Sequence, residues 1–389
     1  MPHDKAFSGT GEIVGGGGGG SSQEICQLQP DYLLELLSFL PHQEAQRTLQ
    51  APLSKIYLAS FTQEENIWKA RCVGQWNVPA SGSSSYSSSA WRALHIDLVH
   101  CLSLVDGTAE AYRGGCASYN NVLAIADVLD AYRTLAEVTR ACFGRLCQLL
   151  DSDEAREAVM AADWRIMDHA LWSLKTYPDD VDLLLKILRF LVLAGRPAGR
   201  MEGVVLPSPL ECNGALRAFG PAGGAGMEAL LSCMERHRTN AMVQATACWS
   251  LVNLALIPQQ KRSLCRQGGV LSIARAMACH PQDSEVNFRA LFALINLVTP
   301  DVTSEKIIHP DTMEAVVAIV ISAIQAFSNM VAIVNRGCLV LHNIALDSGH
   351  SDALVAMGAQ KELLHAISRH PSDALLVQCA TGTLRRLGR

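Results

Sequence analysis

The chain holds 13 cysteines among its 389 residues, yet no two of them are separated by two residues. Without Cys-x-x-Cys spacing, neither a structural zinc site of the usual kind nor a dithiol redox motif is expected. An odd, scattered count also argues against a disulfide framework. Aromatic residues are scarce at 6%, and charged residues make up only 18%. Hydrophobic residues reach 49%, so core material is plentiful and mostly aliphatic, which excludes a largely disordered chain. The net charge of −5 offers no attraction for phosphate backbones, and no nucleic-acid partner is expected. The opening residues, Met1-Pro2-His3-Asp4-Lys5, lack the basic-then-apolar order of a secretory signal, which points to the cytoplasm or nucleus. One uncharged stretch, Ala315 to Val334, has spanning length, but Ser328-Asn329 within it reads as a turn between two helices. No membrane partner is expected.

Reaction chemistry is missing as well. There is no His-Glu-x-x-His, no Gly-x-Ser-x-Gly, no Walker-type loop and no dinucleotide glycine fingerprint. The adjacent pairs His100-Cys101 and Cys279-His280 point in different directions on a helix and cannot serve one site. No catalytic residue, metal ligand or cofactor is assigned, and an enzyme is not expected.

Composition divides the chain. Residues 1–24 include six consecutive glycines, Gly15 to Gly20, and are expected to form a disordered tail. A leucine-rich block follows at 25–76, a serine-rich linker at 77–90, and a long helical region at 91–389. A glycine- and proline-rich insertion at 195–226 interrupts that region. Strand signals are scarce, whereas Leu, Ala and Val recur at steps of three and four, so the chain is expected to be all-α.

The helical region repeats. Trp249-Ser250-Leu251-Val252-Asn253-Leu254-Ala255 returns as Phe292-Ala293-Leu294-Ile295-Asn296-Leu297-Val298 and as Leu339-Val340-Leu341-His342-Asn343-Ile344-Ala345. The asparagines are 43 and 47 residues apart. Arg386 stands another 43 residues on, while Gln148 and Phe190, 42 apart, are placed in the same frame upstream. Gly268 and Gly358 each follow their asparagine by 15 residues, where positive φ would allow a tight turn. Asn240, Asp283 and Asp373 each precede their anchor by 13, where a short polar side chain can cap a helix.

A period of this length matches the armadillo/HEAT class, and the final-helix pattern x-x-Trp-x-Leu-x-Asn-Leu-Ala resembles armadillo repeats in particular. The resemblance covers residues 121–389, with a faint earlier start near 91. It implies a right-handed superhelical solenoid whose groove is lined by the last helix of each repeat. It also implies that Trp249, Asn253, Phe292, Asn296 and Asn343 contact an extended peptide partner. In the bland alternative, the aromatic residues are core and the asparagines merely solvated.

The leucine-rich block carries a second resemblance. Leu28, Leu33, Leu34, Leu37, Ser38 and Leu40, the segment Leu53-Ser54-Lys55, and Trp68 resemble an F-box, a small three-helix motif. Pro30 stands two residues after Leu28 rather than directly after it, which is a departure from that motif. The resemblance implies that Leu28, Leu33, Leu34, Leu37, Leu40 and Trp68 dock on the adaptor subunit of a cullin-RING ubiquitin ligase. The solenoid would then present a protein substrate. The alternative is an armadillo scaffold for a cytoskeletal, signalling or transport assembly, with residues 25–76 as the solenoid's cap.

Overall fold

The computed structural model describes residues 65–76, 78, 88–113, 119–150, 165–196, 199–201, 204–206, 225–256, 258–299 and 307–388. The glycine tail and Leu28, Leu33, Leu34, Leu37 and Leu40 lie outside the described residues. The described chain falls into two compact units, divided between Asp97 and Leu98.

In the first unit, α1 (Glu65–Trp76) packs on the opening turns of α2 (Ser88–Arg113), which begins inside the serine run. The His95 ring sits edge-on to both Trp68 and Trp76, with centroids 5.0 and 4.9 Å away. Trp68 is 4% exposed, so this expected adaptor contact belongs to the interior of its unit. Its indole is large enough to fill the space between Arg71, Arg92 and His95, and burial there removes apolar area from water.

The second unit is a solenoid of paired helices. The outer partners are α3 (Tyr119–Tyr132), α5 (Arg165–Thr176), α7 (Ala225–Arg236), α10 (Gly269–Cys279), α12 (Pro310–Ala326) and α15 (Ala359–Arg369). The inner partners are α4 (Ala136–Leu149), α6 (Val181–Ala194), α8 (Ala241–Ala255), α11 (Ser284–Leu297), α13 (Val331–Ile344) and α16 (Ala374–Arg386). Each inner helix packs on the next inner helix, and outer helices stack on outer ones, so two layers run in file. Short helices α9 (Pro258–Arg266) and α14 (Ser351–Ala356) precede α10 and α15 and complete three-helix repeats there. This is the all-α solenoid that the repeat pattern implies. No described helix is long and apolar enough to cross a membrane, and a turn at Phe327–Met330 divides the uncharged stretch as expected.

Helix starts set the register. The side chains of Asp180, Asn240, Asp283 and Asp373 accept from the N–H three residues on, at 3.0, 3.2, 2.9 and 2.9 Å. Counted from these caps, positions 3, 4, 7, 8 and 11 are buried in both α6 (Leu183, Leu184, Ile187, Leu188, Leu191) and α8 (Val243, Gln244, Ala247, Cys248, Leu251). Each such leucine contributes about 1.5–3 kcal/mol through burial. The same count places Leu193, not Phe190, at the position of Asn253. Residues three apart share a helix face, so an apolar pattern alone slips by three, and only the cap settles it. Phe190 instead packs edge-on against Phe143, with centroids 5.4 Å apart. Gly268 and Gly358 both adopt φ of 82°, as expected, at the starts of α10 and α15.

Met330 occupies the cap position of α13 without a capping hydrogen bond, and is 45% exposed. Met330→Asp should therefore stabilise the chain by about 1 kcal/mol, read as a raised denaturation midpoint. Arg369, bonded to the neighbouring Ser328 and Asn329 side chains, adds a favourable charge nearby.

Three residues before the cap, a polar ring ties each turn to the previous repeat. Tyr177 donates to the Arg133 carbonyl at 2.9 Å. The Nε2 atoms of His237, His280 and His370 meet the carbonyls of Pro178, Arg238 and Ser328 at 2.6, 2.8 and 2.8 Å. A carbonyl only accepts, so each Nε2 is the donor. Phe327 holds this position ahead of α13 and breaks the ladder there.

The insertion holds the only strands among the described residues, an antiparallel pair β1 (Gly199–Met201) and β2 (Val204–Leu206) with Arg200 opposite Val205. The scarcity of strand signals gave no hint of it.

Candidate functional site

On the inner helices, cap-relative positions 6 and 9 are half-buried or exposed and share one face. An open trough of about 680 Å³ lies along α6 and α8, lined by Lys186, Arg189, Arg196, Met242 and Trp249, with Asp283 and Glu285 at the start of α11. Met242 is 64% exposed, so apolar surface is available there.

Arginines and aromatic rings interleave along this face. The Arg289 guanidinium lies 3.5 Å from the Trp249 centroid, with Arg196 at 5.4 Å from the same ring. Arg336 lies 3.8 Å from the Phe288 centroid and 5.1 Å from that of Phe292. Such stacking contributes about 0.5–2 kcal/mol per pair while leaving the guanidinium N–H edge available. Asp182 and Glu285 pair with Lys186 and Arg289 on their own helices. Burial, and then the nearby charge of Arg289, hold the Arg336 guanidinium below its ordinary pKa.

The three groove asparagines differ. Asn253 is 7% exposed and its Nδ2 donates to the Val192 carbonyl at 2.7 Å. Asn343 donates equivalently to Ile295 at 2.9 Å. Both bonds tie an inner helix to the preceding one. The Nδ2 of Asn296 is buried without a partner. Trp249 lines the trough, and Phe292, at 37% exposure, holds the equivalent position on α11.

The arginines were not singled out in the sequence. Their signal is a recurrence: Arg289 and Arg336 both stand six residues past the cap, in consecutive repeats.

At the far end, His342 Nδ1 lies 3.0 Å from the Thr383 hydroxyl. Burial, and then the Arg386 charge, lower its pKa from the ordinary 6.5. A histidine kept neutral by the fold contributes stability that is full above 6.5 and is lost as pH falls through the folded value. The denaturation midpoint should therefore drop on acidification below about pH 6.5, and His342→Gln should flatten that drop.

Chemistry is restrained elsewhere. Burial pushes the Cys142, Cys248 and Cys338 thiols up to about 12, so they are poor nucleophiles at neutral pH. Among the described residues, no group of three or more His, Cys, Asp or Glu could hold a metal ion.

Fold and face together define a helical-repeat solenoid with an arginine-aromatic trough. No protein-family model matches the chain, and no curated protein matches it. Among solved structures, one from work on a conserved phosphorylation switch controlling the interaction between cadherin and beta-catenin is similar to it. That similarity covers 94% of this chain and 80% of that chain, at 16% identity and a TM-score of 0.41. The solenoid is defined here by the chain's own helix packing.

Proposed function

We propose that the chain is a non-enzymatic protein-interaction adaptor of the cytoplasm or nucleus. The inner-layer trough receives an extended polypeptide, and Leu28, Leu33, Leu34, Leu37 and Leu40 dock on the adaptor subunit of a cullin-RING ubiquitin ligase. The observation that carries the first half is the open trough beside Trp249, with exposed Met242 and stacked arginines around it. Large rings and arginines on one face are the residue types that dominate binding hot spots. The second half is supported by the leucine pattern of residues 28–40.

One observation favours the scaffold reading instead. Trp68, Cys72 and Trp76 are buried together with Trp91 and His95 of α2, so the end of the leucine-rich block is fixed to a helix that starts within the serine run. Affinity purification of the full chain with mass spectrometry separates the two. Cullin and adaptor subunits lost in the Leu33→Asp/Leu37→Asp variant, with an unchanged thermal midpoint, support the ligase reading. Their absence from the wild-type purification, together with a lowered midpoint in the variant, supports the cap. Proteins lost only in Trp249→Ala identify the groove's cargo.

A further inference from the structure

The aromatic rings of this face of the inner helices are already occupied by the chain's own cations, Arg289 on Trp249 in the trough and Arg336 on Phe288 beyond it. An open aromatic slot would favour a ligand's lysine or arginine. Here that place is filled, so a basic ligand would meet like charge; of the carboxylates lining the trough, Glu285 is already paired with Arg289 and Asp283 caps α11. Among the described residues no carboxylate pairs with Arg336. Its Nη1 donates to the Ala332 carbonyl at 3.0 Å and its Nε is buried without a partner. The local excess of arginine is not a reflection of composition, because the chain as a whole carries −5.

We propose that the inner face from α6 to α13 binds an extended acidic polypeptide segment, with its carboxylates on the guanidinium edges of Arg289 and Arg336. A guanidinium stacked on a ring presents its N–H donors in its own plane, so stacking and carboxylate binding coexist. The proposal rests on the groove reading above and names the chemistry of what the groove takes.

The test is selection of random dodecapeptides displayed on phage against the full chain. Peptides enriched in Asp and Glu are expected, with binding that weakens as salt rises. Arg336→Glu should lower their affinity at least about tenfold, measured at a temperature where the variant remains fully folded. Should that variant fail to fold, Arg289→Gln makes the same comparison. Neutral or basic peptides whose binding is lost in Trp249→Ala would overturn the acidic assignment and leave the groove reading standing. Recovery of no binders, or only of binders indifferent to Trp249→Ala, would overturn both.

Discussion

Gly337→Val is expected to lower the unfolding free energy by about 2–3 kcal/mol, read from the shift in denaturation midpoint. A Cβ on Gly337 would lie 2.5 Å from Ile324 Cγ1 and 2.9 Å from its Cδ1. Ile324 is itself 3% exposed on α12, so it has little room to swing away. Two effects oppose one another. Removing a glycine from a helix interior is worth up to about 1 kcal/mol, less for a β-branched residue. Overpacking a close helix contact costs about 1–3 kcal/mol and grows with each added methyl, so the clash wins. Small or aliphatic residues hold the same cap-relative position in the other inner helices, such as Ala247, Ala290 and Ala380. An unchanged midpoint would mean that α12 and α13 are not in contact as described.

Asn253→Ala carries the second large effect. Its amide is buried and bonded to the Val192 carbonyl, which sits on a residue 1% exposed. Removing the donor leaves that carbonyl without a partner, a loss of about 1–3 kcal/mol in stability. An asparagine engaged chiefly with a ligand would behave otherwise: ligand affinity would fall and stability would hold. Asn296→Ala provides the contrast within one protein. Its Nδ2 has no internal partner, so its removal should cost clearly less stability than that of Asn253. Measuring both variants by denaturation checks that difference.

Features written within one repeat were legible in the sequence. Asn240, Asp283 and Asp373 cap the helices that their spacing marked, and Gly268 and Gly358 take the positive φ inferred for them. Caps and tight turns depend on residues a few positions apart, so local chemistry suffices. Contacts between repeats were not legible. The His-Pro-x-Asp run was visible at His280 and His370, but nothing local shows that each ring reaches a carbonyl some 42 residues upstream. Phe190 was misplaced because apolar spacing cannot tell a helix from the same helix shifted by three. The asparagines were identified as groove positions, yet their donors are spent between helices in two of three cases. The arginine stack escaped because each cation sits on a ring from a neighbouring helix or turn, as Arg289 does on Trp249.

Hydrogen exchange of the full chain, with and without a selected acidic peptide, tests the location of the binding face most directly. Protection is expected in the inner helices α8, α11 and α13, over residues 241–255, 284–297 and 331–344. Protection confined to the outer helices α10 and α12, over residues 269–279 and 310–326, would contradict it.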